Sequence, residues 1–145
     1  MTTHHSRRRI VALFLILAGL FGAVGLVLMA LAAHGAGDPV HQRWLHEAGL
    51  LLLLHAPIPL LGAAAPDRPP ASERVGRWGL ILVIAGILLF AATLALRALL
   101  DLPGVHPVAR LTPVGGGLAI LGWLLVAAAG VRAVLGAGRE RQTRP

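Results

Sequence analysis

The sequence predicts an all-α integral membrane protein, a four-transmembrane-helix bundle with both termini in the cytoplasm. Of its 145 residues 57% are apolar and only 13% charged, against about 25% charged in soluble domains. The apolar residues form four blocks, residues 10–33, 45–65, 78–100 and 113–135. Each block is long enough for a helix to cross roughly 30 Å of hydrocarbon. None alternates apolar with polar residues as barrel strands do, so helices must satisfy the peptide groups in lipid.

The arginines predict the orientation. All thirteen basic residues are Arg, and ten of them fall in the N-terminus, the second loop and the C-terminal end. The positive-inside rule places these segments in the cytoplasm, and an even number of crossings also puts both termini on one side. An alternative reading of the first block is a cleaved export signal, because three arginines precede it. The block is 24 residues long, which exceeds the usual signal core of about 7–15.

The chain divides into a membrane domain and two tails. We expect a cytoplasmic tail over residues 1–9, a membrane domain over residues 10–136 and a disordered tail over residues 137–145. The four helices are predicted at about residues 10–33, 39–64, 76–100 and 113–135. The second loop, residues 66–77, is rich in Pro, Arg and Ala and is expected to be mobile.

The second helix has a start signal and an internal weakness. Asp38 suits an N-cap, and Pro39 suits the first helical position. Trp44 is then expected at the membrane interface. Pro57 and Pro59 lie inside the predicted helix and should bend it, because neither donates a backbone hydrogen bond.

Small residues predict where the helices pack closely. Gly19 and Ala23 form a small-xxx-small pair, which lets another helix approach in lipid. We expect a packing face within one bundle, with a dedicated dimer interface as the alternative. Thr112 is expected to cap the fourth helix, with Pro113 at its first position. The predicted packing positions are Gly19, Ala23, Gly86, Gly115, Gly116 and Gly122.

His55 is the strongest candidate for a functional residue. It lies about 24 Å along the second helix from Pro39, well inside the apolar region, where an ionisable residue is by default a functional-site hypothesis. The alternative is a packing histidine bonded to a carbonyl or to the Trp123 indole. The candidate ligand-binding residues are His55, His34 and Trp123. A simple hairpin leaves His34 some 20 Å from His55, too far for a shared metal ion or haem.

The remaining polar residues carry weaker signals. His34, His41 and an acidic residue could form a shallow metal site. The alternative interpretation is that they are solvated loop residues. The second interpretation is favoured, so no metal site is predicted. Arg97 and Asp101 are four residues apart and can pair, or Arg97 can reach the headgroups as an anchor. The sequence has no nucleophile with a nearby base, no paired carboxylates and no phosphate loop, so no enzymatic activity is predicted.

The motifs resemble those of domain-of-unknown-function family 423, which has eukaryotic relatives called transmembrane protein 256. The matching residues are Ala33-His34-Gly35, His55-Ala56, Gly86-Ile87-Leu88-Leu89-Phe90, Leu111-Thr112-Pro113-Val114-Gly115-Gly116 and Gly122-Trp123-Leu124. The resemblance implies a four-helix bacterial inner-membrane protein without an established activity. The family's Tyr-Gln before the second-helix His is replaced here by Leu51 and Leu52.

These observations favour a structural or accessory membrane protein that acts through helix contacts. The expected partners are the lipid bilayer and a second copy or a larger membrane complex, with no nucleic acid and no cofactor. The alternative is a small-molecule, metal or proton binding or transport module that uses His55.

Overall fold

The structure, a computed structural model, describes the backbone of residues 2–35, 37–64 and 71–142 and the side chains of residues 8–35, 37–61 and 74–136. The described backbone forms helices and turns without a strand, so the predicted all-α fold is confirmed. The helices are α1 (Thr2–His34), α2 (Pro39–His55), α3 (Ile58–Ala64), α4 (Ala71–Leu99) and α5 (Leu111–Gln142), with a short 3-10 helix, Pro107–Arg110, before α5.

Four stretches of helix are long and apolar enough to cross a membrane. They are Arg8–His34, Pro39–Leu61, Arg74–Leu99 and Pro107–Gly136, with mean hydropathies of 2.8, 1.3, 2.7 and 2.2. The number of crossings therefore agrees with the four apolar blocks of the sequence.

The second crossing is broken where a bend was predicted. α2 ends at His55, and α3 begins at Ile58. At the break the Ala56 N–H donates to the Leu53 carbonyl at 3.3 Å, and the Leu60 N–H donates to the Pro57 carbonyl at 3.1 Å. Two prolines within three residues remove two donors from the helical ladder, so the chain turns instead of bending.

The outer helices extend further than predicted. α1 begins at Thr2, inside the predicted tail, and α5 continues to Gln142, where disorder was expected from residue 137. Arginine is a good helix former, so the basic flanks continue the apolar helices. α4 begins at Ala71, so residues 71–77 of the predicted mobile loop are helical. The rest of that loop, over residues 65–70, and residues 143–145 of the tail lie outside the described residues.

The start of α5 also differs from the prediction. Thr112 is the second residue of α5 and not its cap. The His106 Nδ1 instead accepts from the Val108 N–H at 3.3 Å and caps the preceding 3-10 helix. Pro113, the third residue of α5, is still tolerated because the first turn of a helix has free N–H groups.

The crossings lie in a row in chain order. α1 packs on α2 and α3, α2 packs on α4, and α4 packs extensively on α5. In the most apolar stretch of each crossing, the buried share of residues is 11% for the first and the last crossing and 33% and 39% for the middle two. Most of the apolar surface of α1 and α5 therefore faces outward.

Glycines bring the backbones of α4 and α5 together. Gly79 and Gly86 on α4 are seven residues apart, as are Gly115 and Gly122 on α5. A Cβ on Gly86 would lie 2.6 Å from the Gly115 carbonyl oxygen, and a Cβ on Gly122 would lie 2.6 Å from that of Gly79. Two antiparallel helices with this spacing meet at one glycine pair every two turns.

A third glycine pair joins α1 to α2. A Cβ on Gly25 would lie 2.9 Å from the Gly49 carbonyl oxygen, and one on Gly49 would lie 2.7 Å from that of Gly25. In contrast, a Cβ on Gly19 would meet no atom within 4 Å, and Ala23 is exposed. The predicted Gly19–Ala23 contact is therefore not made within this chain, because α1 turns its Gly25 side to α2.

Two tryptophans mark the two opposite ends of the helix bundle along the helix axes. Trp44 lies level with Arg97 of α4, whose Cζ is 4.0 Å from the centre of the Trp44 ring. Trp78 is 65% exposed and lies 19 residues before Arg97 on the same helix, or about 28 Å at 1.5 Å per residue. This separation matches the roughly 30 Å hydrocarbon thickness that interfacial tryptophans border. We call the Trp78 end, where α1 and α4 begin and α5 ends, the basic end.

Candidate functional site

His55 occupies the last position of α2, directly before the break in the second crossing. Its ring Nδ1 lies 2.8 Å from the Leu51 carbonyl oxygen. A carbonyl can only accept, so Nδ1 carries a proton and donates it. In the neutral ring Nε2 is then a lone-pair acceptor, and no hydrogen-bond partner for it occurs among the described residues. The ring is thus oriented by its own helix, with its second nitrogen left for another group.

The ring lies near the middle of the apolar layer. His55 is 11 residues beyond Trp44, a depth of about 16 Å. This is close to half of the distance between the Trp44 and Trp78 levels. The Trp123 ring of α5 lies beside it, with centroids 6.2 Å apart and planes tilted by 56°. Trp123 is 44% exposed, so its ring covers His55 on one side while remaining partly open to the surroundings of the helices.

His34 does not join His55. It is exposed at the end of α1, nine residues beyond Gly25, whereas His55 lies six residues beyond Gly49 in the opposite direction. Since these two glycines touch, the two histidines differ in depth by about 22 Å. The described residues contain no group of three His, Cys, Asp or Glu side chains placed to hold a metal ion.

A second cluster lies at the end opposite the basic end. The Trp44 ring contacts the Arg97 guanidinium on one side, and the His41 ring lies 5.3 Å away, centroid to centroid. Of the two interpretations of Arg97, the pair with Asp101 is not formed. The Asp101 Oδ1 instead lies 3.5 Å from the His41 Nε2. Arg97 therefore stacks over an aromatic ring, an arrangement that stabilises its charge, while its Nε is buried without a hydrogen-bond partner.

Beside this cluster an open cleft of about 450 Å³ runs along the first turns of α2. It is lined by Pro39, Val40, Arg43, Trp44 and Glu47. The Arg43 Nε donates to the Glu47 Oε1 at 2.8 Å, so the charges in the cleft are matched within it. The cleft contains no unpaired charge that would attract an ionic ligand.

Asp101 adopts a backbone conformation that disfavours its side chain. Its φ is +48°, and the Leu102 N–H donates to the Arg97 carbonyl at 3.0 Å, which closes a Schellman turn. Glycine normally occupies this position because a Cβ is strained there. The strained residue also places its carboxylate beside His41.

Substituting Asp101→Gly is expected to raise the free energy of unfolding by about 0.5–1 kcal/mol. The left-handed conformation costs a residue with a Cβ about 1–2 kcal/mol, and the larger unfolded-state entropy of glycine offsets about 0.4–1 kcal/mol of that gain. The lost contact with His41 is largely exposed and contributes less. Denaturant unfolding followed by tryptophan fluorescence measures the change. Asp101→Ala, which removes the carboxylate but keeps the Cβ, should not stabilise. Equal shifts for the two variants would contradict the strain argument.

One buried polar contact was not predicted. Thr93, 3% exposed, donates to the Phe90 carbonyl at 2.8 Å. The Thr112 hydroxyl donates to the Thr93 Oγ1 at 3.0 Å. This hydrogen bond links α4 to α5 one turn from the Gly86–Gly115 contact. The sequence offered one signal for this contact, namely a threonine inside an apolar block. A buried hydroxyl needs a hydrogen-bond partner, so Thr93 indicated a polar contact with a neighbouring helix.

Some glycines of the predicted packing set make close contacts with another helix, and others do not. Gly86, Gly115 and Gly122 lie where a Cβ would come within 2.6 Å of another helix backbone. Gly116 has space for a Cβ at 3.6 Å from the Phe90 ring, and Gly19 is open. Three glycines outside the predicted set make close contacts of the same kind, namely Gly25, Gly49 and Gly79.

The comparison with protein families gives one match. A family model described as "Protein of unknown function (DUF423)" matches residues 28–116, which include α2, the break at His55, α3, α4 and the first glycines of α5. No solved structure matches the chain.

Proposed function

The chain belongs to the DUF423 family, whose function is unknown, and from that premise we propose that it is a structural or accessory protein of the bacterial inner membrane. It acts through helix contacts with a second copy or a larger membrane complex and catalyses no reaction. Both termini lie in the cytoplasm, as the distribution of ten against three arginines favours.

The observation that supports this function is the unoccupied face of α1. A Cβ on Gly19 would meet no atom within 4 Å, and Ala23 is exposed. In lipid, small residues at this spacing let another helix approach closely. The close contact that Gly25 makes with Gly49 supports the same role for glycines elsewhere on this helix.

Native mass spectrometry in gentle detergent tests this function. Wild-type protein should appear as a homo-oligomer or with a stoichiometric partner, and Gly19→Leu should lose that assembly while its thermal unfolding stays unchanged. Gly130→Leu, at an equally open site on α5, should keep the assembly. A monomeric wild type at native abundance, or equal loss in both variants, would contradict the proposal.

A second candidate function is supported by His55. Its oriented ring at mid-depth leaves Nε2 to accept a hydrogen bond or to bind a metal ion. This arrangement suits a lipid-soluble small molecule with one hydroxyl or N–H donor, a metal ion or a transported proton, which are the ligands expected of intramembrane histidines.

Native mass spectrometry also tests the ligand-binding function of His55. A non-covalent adduct should accompany the wild type, disappear in His55→Leu and remain in His34→Leu, whose side chain is exposed at a helix end. A wild-type spectrum free of any adduct, or an adduct that His55→Leu retains, would exclude the ligand-binding role.

A further inference from the structure

His55 has a hydrogen-bond acceptor that is open to the surroundings of the helices. Its Nδ1 donates to the Leu51 carbonyl, which leaves Nε2 as an acceptor in the neutral ring. Among the described residues that are not exposed, the one fully buried side-chain nitrogen or oxygen without a hydrogen-bond partner is the Arg97 Nε. The His55 Nε2 also lacks a partner, so it is not fully buried. A molecule outside the helices can therefore reach it.

The hydrocarbon around this acceptor offers it no hydrogen-bond donor. His55 lies near the middle of the apolar layer, 11 residues beyond Trp44, or about 16 Å. At this depth there is no water to donate a hydrogen bond, and an acceptor left without a donor costs free energy. A ligand that brings its own O–H or N–H group into the bilayer removes that cost. The surroundings of Nε2 therefore favour a lipid-soluble hydrogen-bond donor.

The residues around the ring do not favour a metal ion or a transported proton. A bound metal ion needs three or more protein ligands, and the described residues contain no group of three His, Cys, Asp or Glu side chains placed to hold one. A proton relay needs a second ionisable group. The nearest one on the same helix is Glu47, eight residues or about 12 Å away. The other crossings have no ionisable residue over residues 10–33, 78–96 and 111–131.

The Trp123 ring beside His55 indicates the shape of the ligand. The two ring centroids are 6.2 Å apart, with planes tilted by 56°, and no hydrogen bond joins these two described side chains. Trp123 is 44% exposed, so it offers aromatic surface to a molecule that binds at Nε2. Aromatic rings pack on one another in offset or edge-to-face contacts. A flat ring suits this position better than a flexible chain does.

We propose that His55 and Trp123 form a binding site for a lipid-soluble molecule of the phenol class, with a hydroxyl group on a flat apolar ring. The proposal rests on the ligand-binding function of His55. The hydroxyl donates to Nε2, and the ring of the ligand packs against Trp123. Because the Leu51 carbonyl holds the proton on Nδ1, the site discriminates against the same ring with an ether or carbonyl oxygen, which can only accept.

Binding of para-bromophenol and para-bromoanisole tests this proposal, since the two compounds share a ring and a bromine and only the phenol has a donor. Bromine quenches tryptophan fluorescence, and the quenching that Trp123→Phe lacks is due to Trp123. In mild detergent para-bromophenol should quench Trp123 saturably, with a dissociation constant about fivefold below that of para-bromoanisole. His55→Leu should lose this difference. His34→Leu, the same exchange at an exposed helix end, should keep it.

Equal dissociation constants of the two compounds for the wild type would overturn the proposal, and this comparison decides even if His55→Leu does not fold. A preference for the phenol that His55→Leu keeps, or that His34→Leu loses, would also overturn it. If the wild type binds both compounds equally and His55→Leu binds both more weakly, the ligand class is wrong and the ligand-binding function of His55 stands. If His55→Leu binds both as the wild type does, that function fails as well.

A second copy of the chain is the other source of a donor for Nε2. In that case para-bromophenol would not quench Trp123 saturably, and His55→Leu would lose the oligomer in native mass spectrometry. That pair of results would overturn the proposal and support the assembly function, which Gly19→Leu tests independently.

Discussion

Gly115→Leu is expected to lower the free energy of unfolding by about 3 kcal/mol or more. A Cβ at this position would lie 2.6 Å from the Phe90 backbone nitrogen and 2.9 Å from the Gly86 carbonyl oxygen. Backbone atoms cannot move aside as a flexible side chain can, so α4 and α5 must separate. Their separation also breaks the Thr93–Thr112 hydrogen bond, whose buried hydroxyl would lose its partner.

The matched control is Gly117→Leu on the same helix. A Cβ there meets no atom within 4 Å, and leucine has a better helix propensity than glycine. This variant should unfold like the wild type or later. Unfolding in a mixture of SDS and mild detergent, followed by tryptophan fluorescence, measures both. Similar midpoints for the two variants would show that α4 and α5 do not meet at Gly115.

The crossings could be predicted because lipid imposes them. A run of about 20 apolar residues has one stable solution in hydrocarbon, so hydropathy alone identified all four. The helix ends were less predictable. The basic flanks continue α1 and α5 as helix, a choice that depends on local propensity and not on the bilayer.

The packing partners could not be predicted in the same way. Gly19 and Gly25 lie on one helix and look alike in sequence, yet only Gly25 meets another backbone. Which side of α1 turns inward depends on α2, through Gly49. The spacing of seven between Gly79 and Gly86, repeated between Gly115 and Gly122, was a readable signal for the α4–α5 contact.

The candidate site was predicted in position but not in detail. The depth of His55 follows from the chain length between Pro39 and the break. Its bond to Leu51 does not, because a histidine at a helix end can turn to several carbonyls. Likewise, helical spacing allowed an Arg97–Asp101 pair beside the anchoring role of Arg97, and neither interpretation included the aromatic face that Trp44 offers the guanidinium.

Gly25→Leu is expected to release α1 from the rest of the protein, at a cost of about 3 kcal/mol. A Cβ here would lie 2.8 Å from the Leu53 Cγ and 2.9 Å from the Gly49 carbonyl oxygen. α1 packs mainly on α2 and α3, so a clash at this pair leaves it without a comparable contact elsewhere. The effect should be local, because α2, α4 and α5 keep their own contacts.

Tryptophan fluorescence makes that locality measurable. Trp78 and Trp123 lie on α4 and α5, which have no extensive contact with α1, so in a Trp44→Phe background Gly25→Leu should leave the emission of the folded protein unchanged and still lower the stability against SDS. Gly115→Leu should alter the emission, since Trp123 belongs to α5.

Gly22→Leu, one turn from Gly25 and with no atom within 4 Å, is the control and should match the wild type. If Gly22→Leu destabilised as much as Gly25→Leu, α1 would have to present a different side to α2. An emission change in Gly25→Leu would instead mean that the row of helices unfolds as one unit.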